Sequence, residues 1–371
     1  MDYKNKLEEI LSVEAKIYGD DLLNRKIVLY GAGSLGHMAL DLFDKAGIAN
    51  FEIVDKKVKM LDGKIVKKLD DLNEDCKRNK LFLVAISTIA YNDIESELRM
   101  AGICNIMQFY TYAYLKFPKL LSNGWFIHDI SSDIKNEIVS VCELLKHHEY
   151  SLAHYIQFCW WKMREREEIS EEFKVLSGKK YFAAPVMPVL GRKEVFLDCG
   201  CHEGNIIRNF IKLVNGEYEN IYAFEPDKIN LNKAKEKLQD ETVHWDDRAL
   251  GEKIEKKNFE SELGFASKFM EYGKEIIDVV AIDDLDIKPT IIKLHVEGAE
   301  YNVLEGAIET IKENRPIIMV LGDHNSDGLT RIPMYIKRLK DYKLYFLLHD
   351  YCGNSAIYYM IPKERDIYEC N

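Results

Sequence analysis

Two stretches of this chain share one local plan: an apolar strand, a glycine turn, then a helix. The first is KIVLYGAGSLGHMALDLF, Lys26–Phe43, and the second is EVFLDCGCHEGNIIRNF, Glu194–Phe210. Each leads to a second strand that closes on an acidic residue: FEIVD, ending at Asp55, and IYAFEPD, with Glu225 near its end. Glycine lets the backbone turn sharply where a strand feeds a helix, and the helix N-terminus can then meet a ligand. Two nucleotide-binding βαβ units in one chain are the main expectation.

The 371 residues suit two or three domains at about 150 residues each. The expected partition is a small Rossmann-like domain over 1–115, a helical aromatic-rich connector over 116–185 and a larger α/β domain over 186–371. Hydrophobic residues make up 47% of the chain, enough for real cores, so disorder as the main state is excluded. The formal charge of −11 disfavours a general nucleic-acid coat protein, which would be basic. No apolar run approaches the roughly 18 residues that a membrane span needs. The opening MDYKNKLEEILSVEAK is charged throughout and does not read as a signal peptide. A cytoplasmic protein is therefore expected, with no membrane span, and a homo-oligomer is left open. The eight cysteines include Cys199, Cys201 and Cys370 but form no CxxC pair, so a zinc ribbon has no support. Cys199 and Cys201 read as two small reduced thiols beside Gly200.

In the first unit, Gly31, Gly33 and Gly36 follow a strand and open a helix, and Asp55 ends the next strand. By motif alone this predicts a dinucleotide. The unit is too short for a second mononucleotide half, however, and lacks a Tyr-x-x-x-Lys dyad. The order GAGSLG, IVDKKV, LDGKIV, LVAIS, ELRMAGI resembles the small N-terminal domain of bacterial sugar acyltransferases, which implies binding of a nucleotide-sugar. A purely structural or oligomerising role is the alternative. Over 110–190 the chain is rich in aromatics, among them Tyr110, Tyr112, Tyr114, Trp125, Tyr155, Trp160 and Trp161, with apolar residues at helical spacing. Such a stripe is core, or else a platform for stacking sugars.

In the second domain the loop reads D-x-G-x-x-x-G, with Asp198, Gly200 and Gly204, rather than the dinucleotide G-x-G-x-x-G. An acidic residue before the first glycine suits a cationic amino-acid end better than a pyrophosphate, and S-adenosylmethionine carries such an end. Glu225, about 25 residues beyond Gly200, is placed to accept both ribose hydroxyl protons. In IIKLHVEGAEYNV, strand alternation puts Lys293, His295 and Glu297 on one face. Three ionisable groups near a strand's carboxyl end are costly unless solvated or functional. A plain Lys293–Glu297 pair holding strand to helix is the bland alternative. Asp323 and His324 follow the strand PIIMVLG and reach the same edge, where open α/β sheets bind ligands.

At these strings the second domain resembles the FkbM family of S-adenosylmethionine-dependent methyltransferases, over roughly 181–363. The resemblance rests on EVFLDCGCHEGNIIRNF, IYAFEPDKINLNKAK, DDRALG, IDVVAIDDL and, most specifically, IIKLHVEGAEYNVLEGAIETIKENRPIIMV. It implies a class I methyltransferase sheet ending in an antiparallel hairpin. It carries donor-binding roles to Asp198, Gly200 and Glu225, and makes Asp246 and Asp247 the candidates for an adenine contact. It also implies O-methyl transfer to a hydroxyl, commonly of a sugar, here read as surface-polysaccharide biosynthesis. The family usually reads K-I-D-V-E-G, with Asp where this chain has His295, and often has Asp where this chain has Asn205. A carboxylate base or metal ligand at position 295 is thus absent, but a histidine can still take a proton near neutral pH. The candidate catalytic residues are His295 or His324 as base, with Glu297 orienting and Lys293 beside them. A divalent metal is open, with Glu297, Asp323 and His324 as its candidate ligands. The competing readings are a non-catalytic glycan- or nucleotide-sugar-binding protein with a degenerate methyltransferase domain, and an NAD-dependent sugar oxidoreductase.

Overall fold

The structure is a computed structural model and describes residues 2–121, 123–168, 170–178, 180–260, 268–269 and 275–367, so Cys370 lies outside the described residues. The chain divides into two compact units. One comprises Met1–Ile130, Ala153–Ser177 and Leu348–Asn354; the other comprises Ser131–Leu152, Gly178–Leu347 and Ser355–Asn371. The stretch expected as a connector, 116–185, is therefore shared between the units, because its two helices, Ser132–Leu145 and Glu149–Arg164, bury their apolar residues in different cores.

In the first unit, strands β1 (Ile27–Tyr30), β2 (Phe51–Val54), β3 (Leu81–Val84) and β4 (Asn105–Gln108) form one sheet in the order β2-β1-β3-β4. All its pairings are parallel. IVLY and LFLV are buried at every position, as expected of parallel strands covered on both faces. Helices α1 (Ser34–Lys45) and α2 (Tyr91–Met100) supply amphipathic cover. Trp125, Tyr155, Trp160 and Trp161 are each 5% exposed or less, and Trp161 meets Tyr91 edge-on at 5.6 Å. The aromatic stripe is core here, not a stacking platform.

The second unit is built on a seven-stranded sheet. Its strands are β5 (Val195–Cys199), β6 (Asn220–Phe224), β7 (Val243–Asp246), β12 (Ile291–Leu294), β13 (Ile317–Leu321), β14 (Tyr342–Leu348) and β15 (Ala356–Pro362). Their spatial order is β14-β15-β13-β12-β5-β6-β7. The pairings from β13 to β7 are parallel, and β15 runs antiparallel to β13. Crossover helices α3 (Asn205–Leu213) and α4 (Lys228–Lys237) follow β5 and β6. The segment Ile277–Val280 of the IDVVAI string lies in β11 (Glu275–Val280), outside the main sheet. That strand belongs to a separate sheet with β8 (Ala249–Leu250), β9 (Glu255–Glu260) and β10 (Lys268–Phe269).

The order of the main sheet reverses between β5 and β12. Ligand crevices in open α/β sheets lie outside the carboxyl ends of the strands at such a reversal. The register Lys293↔Asp198 and Leu294↔Cys199 brings those two ends side by side. No helix among the described residues is long and apolar enough to cross a membrane.

Candidate active site

Asp198, at the end of β5, is fully buried, and Lys293 of β12 is 1% exposed beside it. Lys293 Nζ lies 2.8 Å from Asp198 Oδ1 and donates to the carbonyl of Gly200 at 2.6 Å. Lysine's partner is thus Asp198 and not Glu297. A buried cation costs several kcal/mol unless it is paired, and here the pair also pins the glycine turn. The Asp198–Lys293 contact is a charge contact without hydrogen-bond alignment, and both carboxylate oxygens lack a hydrogen-bond partner among the described residues. Asp198 and Lys293 are in register on adjacent strands, so their side chains share one face of the sheet, and Asp198 is not among the cavity-lining residues.

Gly200 (φ +82°) is required by its neighbours: a Cβ there would collide with the His295 carbonyl oxygen. Its amide and that of Cys201 both donate to Phe224 O, at 2.9 and 3.0 Å. Gly204 (φ +75°) packs closely, since a Cβ would meet Leu238 Cδ1 at 2.8 Å, and it is not among the cavity-lining residues. Cys199 and Cys201 are free and buried, and burial pushes both thiols well up from their ordinary value.

Glu225 follows β6 directly. Its carboxylate accepts the His202 amide at 2.8 Å and the Asp227 amide at 3.0 Å. Burial pushes its pKa up to about 7, although the two amides pull in the other direction.

A cavity of about 320 Å³ opens at these strand ends, with Gly200, His202, Glu225, Lys293, His295 and Glu297 in its wall. Phe224, Leu250 and Phe259 give one side an apolar lining. Asp246 and Asp247 do not line it. Asp246 is gripped by Arg248, whose Nε lies 3.0 Å from both carboxylate oxygens and whose Nη2 lies 2.5 Å from Oδ2. Arg248, and not the acids, reaches the cavity wall.

The histidines meet around Glu297, whose φ of +50° aims its side chain back at the strand ends. His295 Nε2 lies 3.1 Å from Glu297 Oε1, and His324 Nε2 lies 3.4 Å from Oε2. His324 Nδ1 is 2.6 Å from Glu300 Oε1, and Glu300 also accepts the amides of Val296 and Gly298. His295 Nδ1 is 2.7 Å from the Tyr181 hydroxyl. Burial alone would depress the His324 pKa, yet Glu297 and Glu300 hold it well above its ordinary value. Burial lowers the pKa of His295, with Glu297 offsetting only part of the fall, which keeps it neutral. Glu297 is held far below the usual carboxylate range: burial opposes ionisation, but the two imidazoles outweigh it.

Asp323 stands apart from this cluster. It is 3% exposed, and its Oδ2 accepts the Ser355 amide at 2.6 Å, so it fastens the start of β15. Tyr181 and Glu300 were not singled out by sequence. Glu300 carried a faint signal as the second acid of V-E-G-A-E; Tyr181 carried none.

In the first unit the Asp55 carboxylate is already used. Oδ2 accepts the Ala32 amide at 2.9 Å, and Oδ1 accepts those of Lys57 and Val58 at 2.7 and 3.0 Å. Gly31 (φ +116°) and Gly36 are forced by backbone proximity, whereas the space beside Gly33 is open.

A mainly parallel sheet in which β15, next to the edge strand β14, runs antiparallel to β13, with a glycine turn and an acid after the second strand, makes the second unit a Rossmann-type domain. Residues 198–344 match the family model described as the methyltransferase FkbM domain. The crystal structure of methyltransferase FkbM from Methylobacillus flagellatus KT superimposes with a TM-score of 0.63 at 19% identity, covering 96% of this chain and 93% of that one. That likeness speaks for the fold. Human N-acetylserotonin methyltransferase in complex with SAM also aligns, with a TM-score of 0.29, 12% identity and coverage of 72% and 70%. No curated protein matches.

Proposed function

We propose that the chain is an S-adenosylmethionine-dependent O-methyltransferase acting on a sugar hydroxyl in surface-glycan biosynthesis. The observation that carries this reading is that one cavity collects the Gly200 turn, Glu225 and the His295–Glu297 pair. The residues present fit the donor. Glu225 offers a buried carboxylate to two ribose hydroxyls, and Phe224, Leu250 and Phe259 offer apolar surface to a base. S-adenosylmethionine, when bound, supplies an electrophilic methyl group on a positive sulfur.

The chain must mainly align the acceptor oxygen and take charge of its proton. Of the two imidazoles, His324 is already doubly engaged by carboxylates, whereas neutral His295 opens to the cavity. His295 and Glu297 thus form the face on which an acceptor hydroxyl is activated. The sugar acceptor follows from the sequence resemblance, and the support for it here is the placement of groups able to ionise a weakly acidic hydroxyl.

The test is a screen of nucleotide-linked hexoses and heptoses, read by release of S-adenosylhomocysteine. His295→Ala should keep donor binding and lower turnover by about 10²–10⁴-fold. Wild-type turnover in both His295→Ala and His324→Ala on a verified acceptor would refute the assigned face.

A further inference from the structure

We propose that His295, Glu297 and His324 bind one divalent transition-metal ion at the wall of the cavity. Their donor atoms lie within 4.8 Å of one another. The two nitrogen–oxygen separations, 3.1 and 3.4 Å, have a simple meaning. Two ligands bonded to one ion at about 2.1 Å stand roughly 3.0 Å apart at a right angle and roughly 3.4 Å apart at a tetrahedral one. Each imidazole already stands at that spacing from one oxygen of the Glu297 carboxylate, His295 from Oε1 and His324 from Oε2.

The surroundings are those of metal-binding histidines, which present one ring nitrogen to the ion and have the other fixed by a carboxylate, carbonyl or similar partner. Here Glu300 holds Nδ1 of His324 at 2.6 Å, and the Tyr181 hydroxyl holds Nδ1 of His295 at 2.7 Å. Both Nε2 atoms therefore turn toward Glu297. Glu300 is fixed in turn by the amides of Val296 and Gly298, at 2.9 and 3.0 Å, so the turn that carries Glu297 is wrapped around this outer partner. The His324 side chain is 2% exposed, those of Glu297 and His295 19% and 37%. An ion here would have protein on one side and open positions toward the cavity, the arrangement of catalytic rather than structural sites. Two imidazoles and one carboxylate select Mn²⁺, Fe²⁺, Co²⁺ or Zn²⁺ over Mg²⁺ and Ca²⁺, which prefer oxygen ligands throughout.

The ion's role rests on the methyl-transfer reading; its binding does not. With the ion bound, His295 and Glu297 would activate the acceptor as ligands of the ion and not as a free base: the ion would make a coordinated hydroxyl more acidic, and its proton would pass to water. The freed oxygen lone pair forms the O–C bond while the C–S pair returns to the donor's sulfur. The ion keeps its oxidation state.

The experiment uses the full chain without an affinity tag, stripped with a chelator, and titrated calorimetrically with MnCl₂, ZnCl₂ and MgCl₂ in turn. The expected result is one Mn²⁺ or Zn²⁺ per chain and at least tenfold weaker Mg²⁺. Glu297→Gln and His324→Ala should weaken binding by 100-fold or more. Tyr181→Phe, which removes only a hydroxyl and is safe for folding, should weaken it by about 10–100-fold. No transition-ion binding, or binding unchanged in Tyr181→Phe and in a folded Glu297→Gln, overturns the site. Ion binding without methyl transfer to any acceptor upholds the site and sinks the enzyme reading. Methyl transfer indifferent to the chelator and to added ion, with no ion bound, does the reverse.

Discussion

Glu225 combines two demands that conflict in the donor-free protein. Burial disfavours its charge, yet the ribose hydroxyls can both donate only to the ionised carboxylate. With a pKa near 7, the donor-free protein is half protonated at neutral pH. Donor affinity should therefore rise with pH through about 7 and level off above it, falling by up to tenfold per unit on the acid side. Calorimetry between pH 5.5 and 8.5 reads this directly, and a flat profile would contradict the assigned role. The same shift has a consequence for stability, shared with Glu167, which burial also pushes to about 7. Each folded carboxyl keeps a proton that the unfolded chain, at 4.5, releases. Their contribution is fullest below about 4.5 and is lost as pH rises through 7.

Residue types legible in the sequence were those whose role is local. Glu225 was found from its place after a strand. Its neighbours across the site were harder to read. Glu300 meets His324 across 24 residues, and Tyr181 meets His295 across 114. No periodicity or spacing reports contacts at that separation. The family string placed Lys293 correctly in the site but not its partner, since register between β5 and β12 is set by sheet assembly.

At the scale of elements, the strand–turn–helix plan was readable because each segment carries its own period and its own glycine. The two glycine turns nevertheless differ in what they demand. Gly200 sits at φ +82° against the His295 carbonyl, whereas a Cβ on Gly33 would meet nothing within 4 Å. Gly200→Ala should cost about 3 kcal/mol or more in urea unfolding, through strain and displacement of β12. Gly33→Ala should change stability by less than about 1 kcal/mol. Equal effects would mean that the turn in the second unit is not held by the neighbouring strand. The IDVVAI string supplies a strand outside the main sheet, and an apolar run alone does not say which strand it pairs with.

For the whole molecule, the sequence suggested consecutive domains, and the chain instead alternates between two units. Such interleaving leaves no compositional trace, since the helix Glu149–Arg164 contains the boundary within one continuous element. Two glycine motifs at first suggest two nucleotide sites. Asp55 accepts three amides and Glu225 two, and Glu225 also lines a cavity. The cavity beside Glu225 is the ground for expecting one donor site, in the second unit. Asp55→Ala should cost stability, at about 1 kcal/mol for each lost hydrogen bond, without touching donor affinity. The most direct test is calorimetric titration of S-adenosylmethionine into the wild-type chain, Glu225→Ala and Asp55→Ala. The account predicts one site in the wild type, an affinity loss of about 2 kcal/mol, roughly 30-fold, in Glu225→Ala, and none in Asp55→Ala. Absence of binding to the wild type, or affinity unchanged in Glu225→Ala, would contradict it.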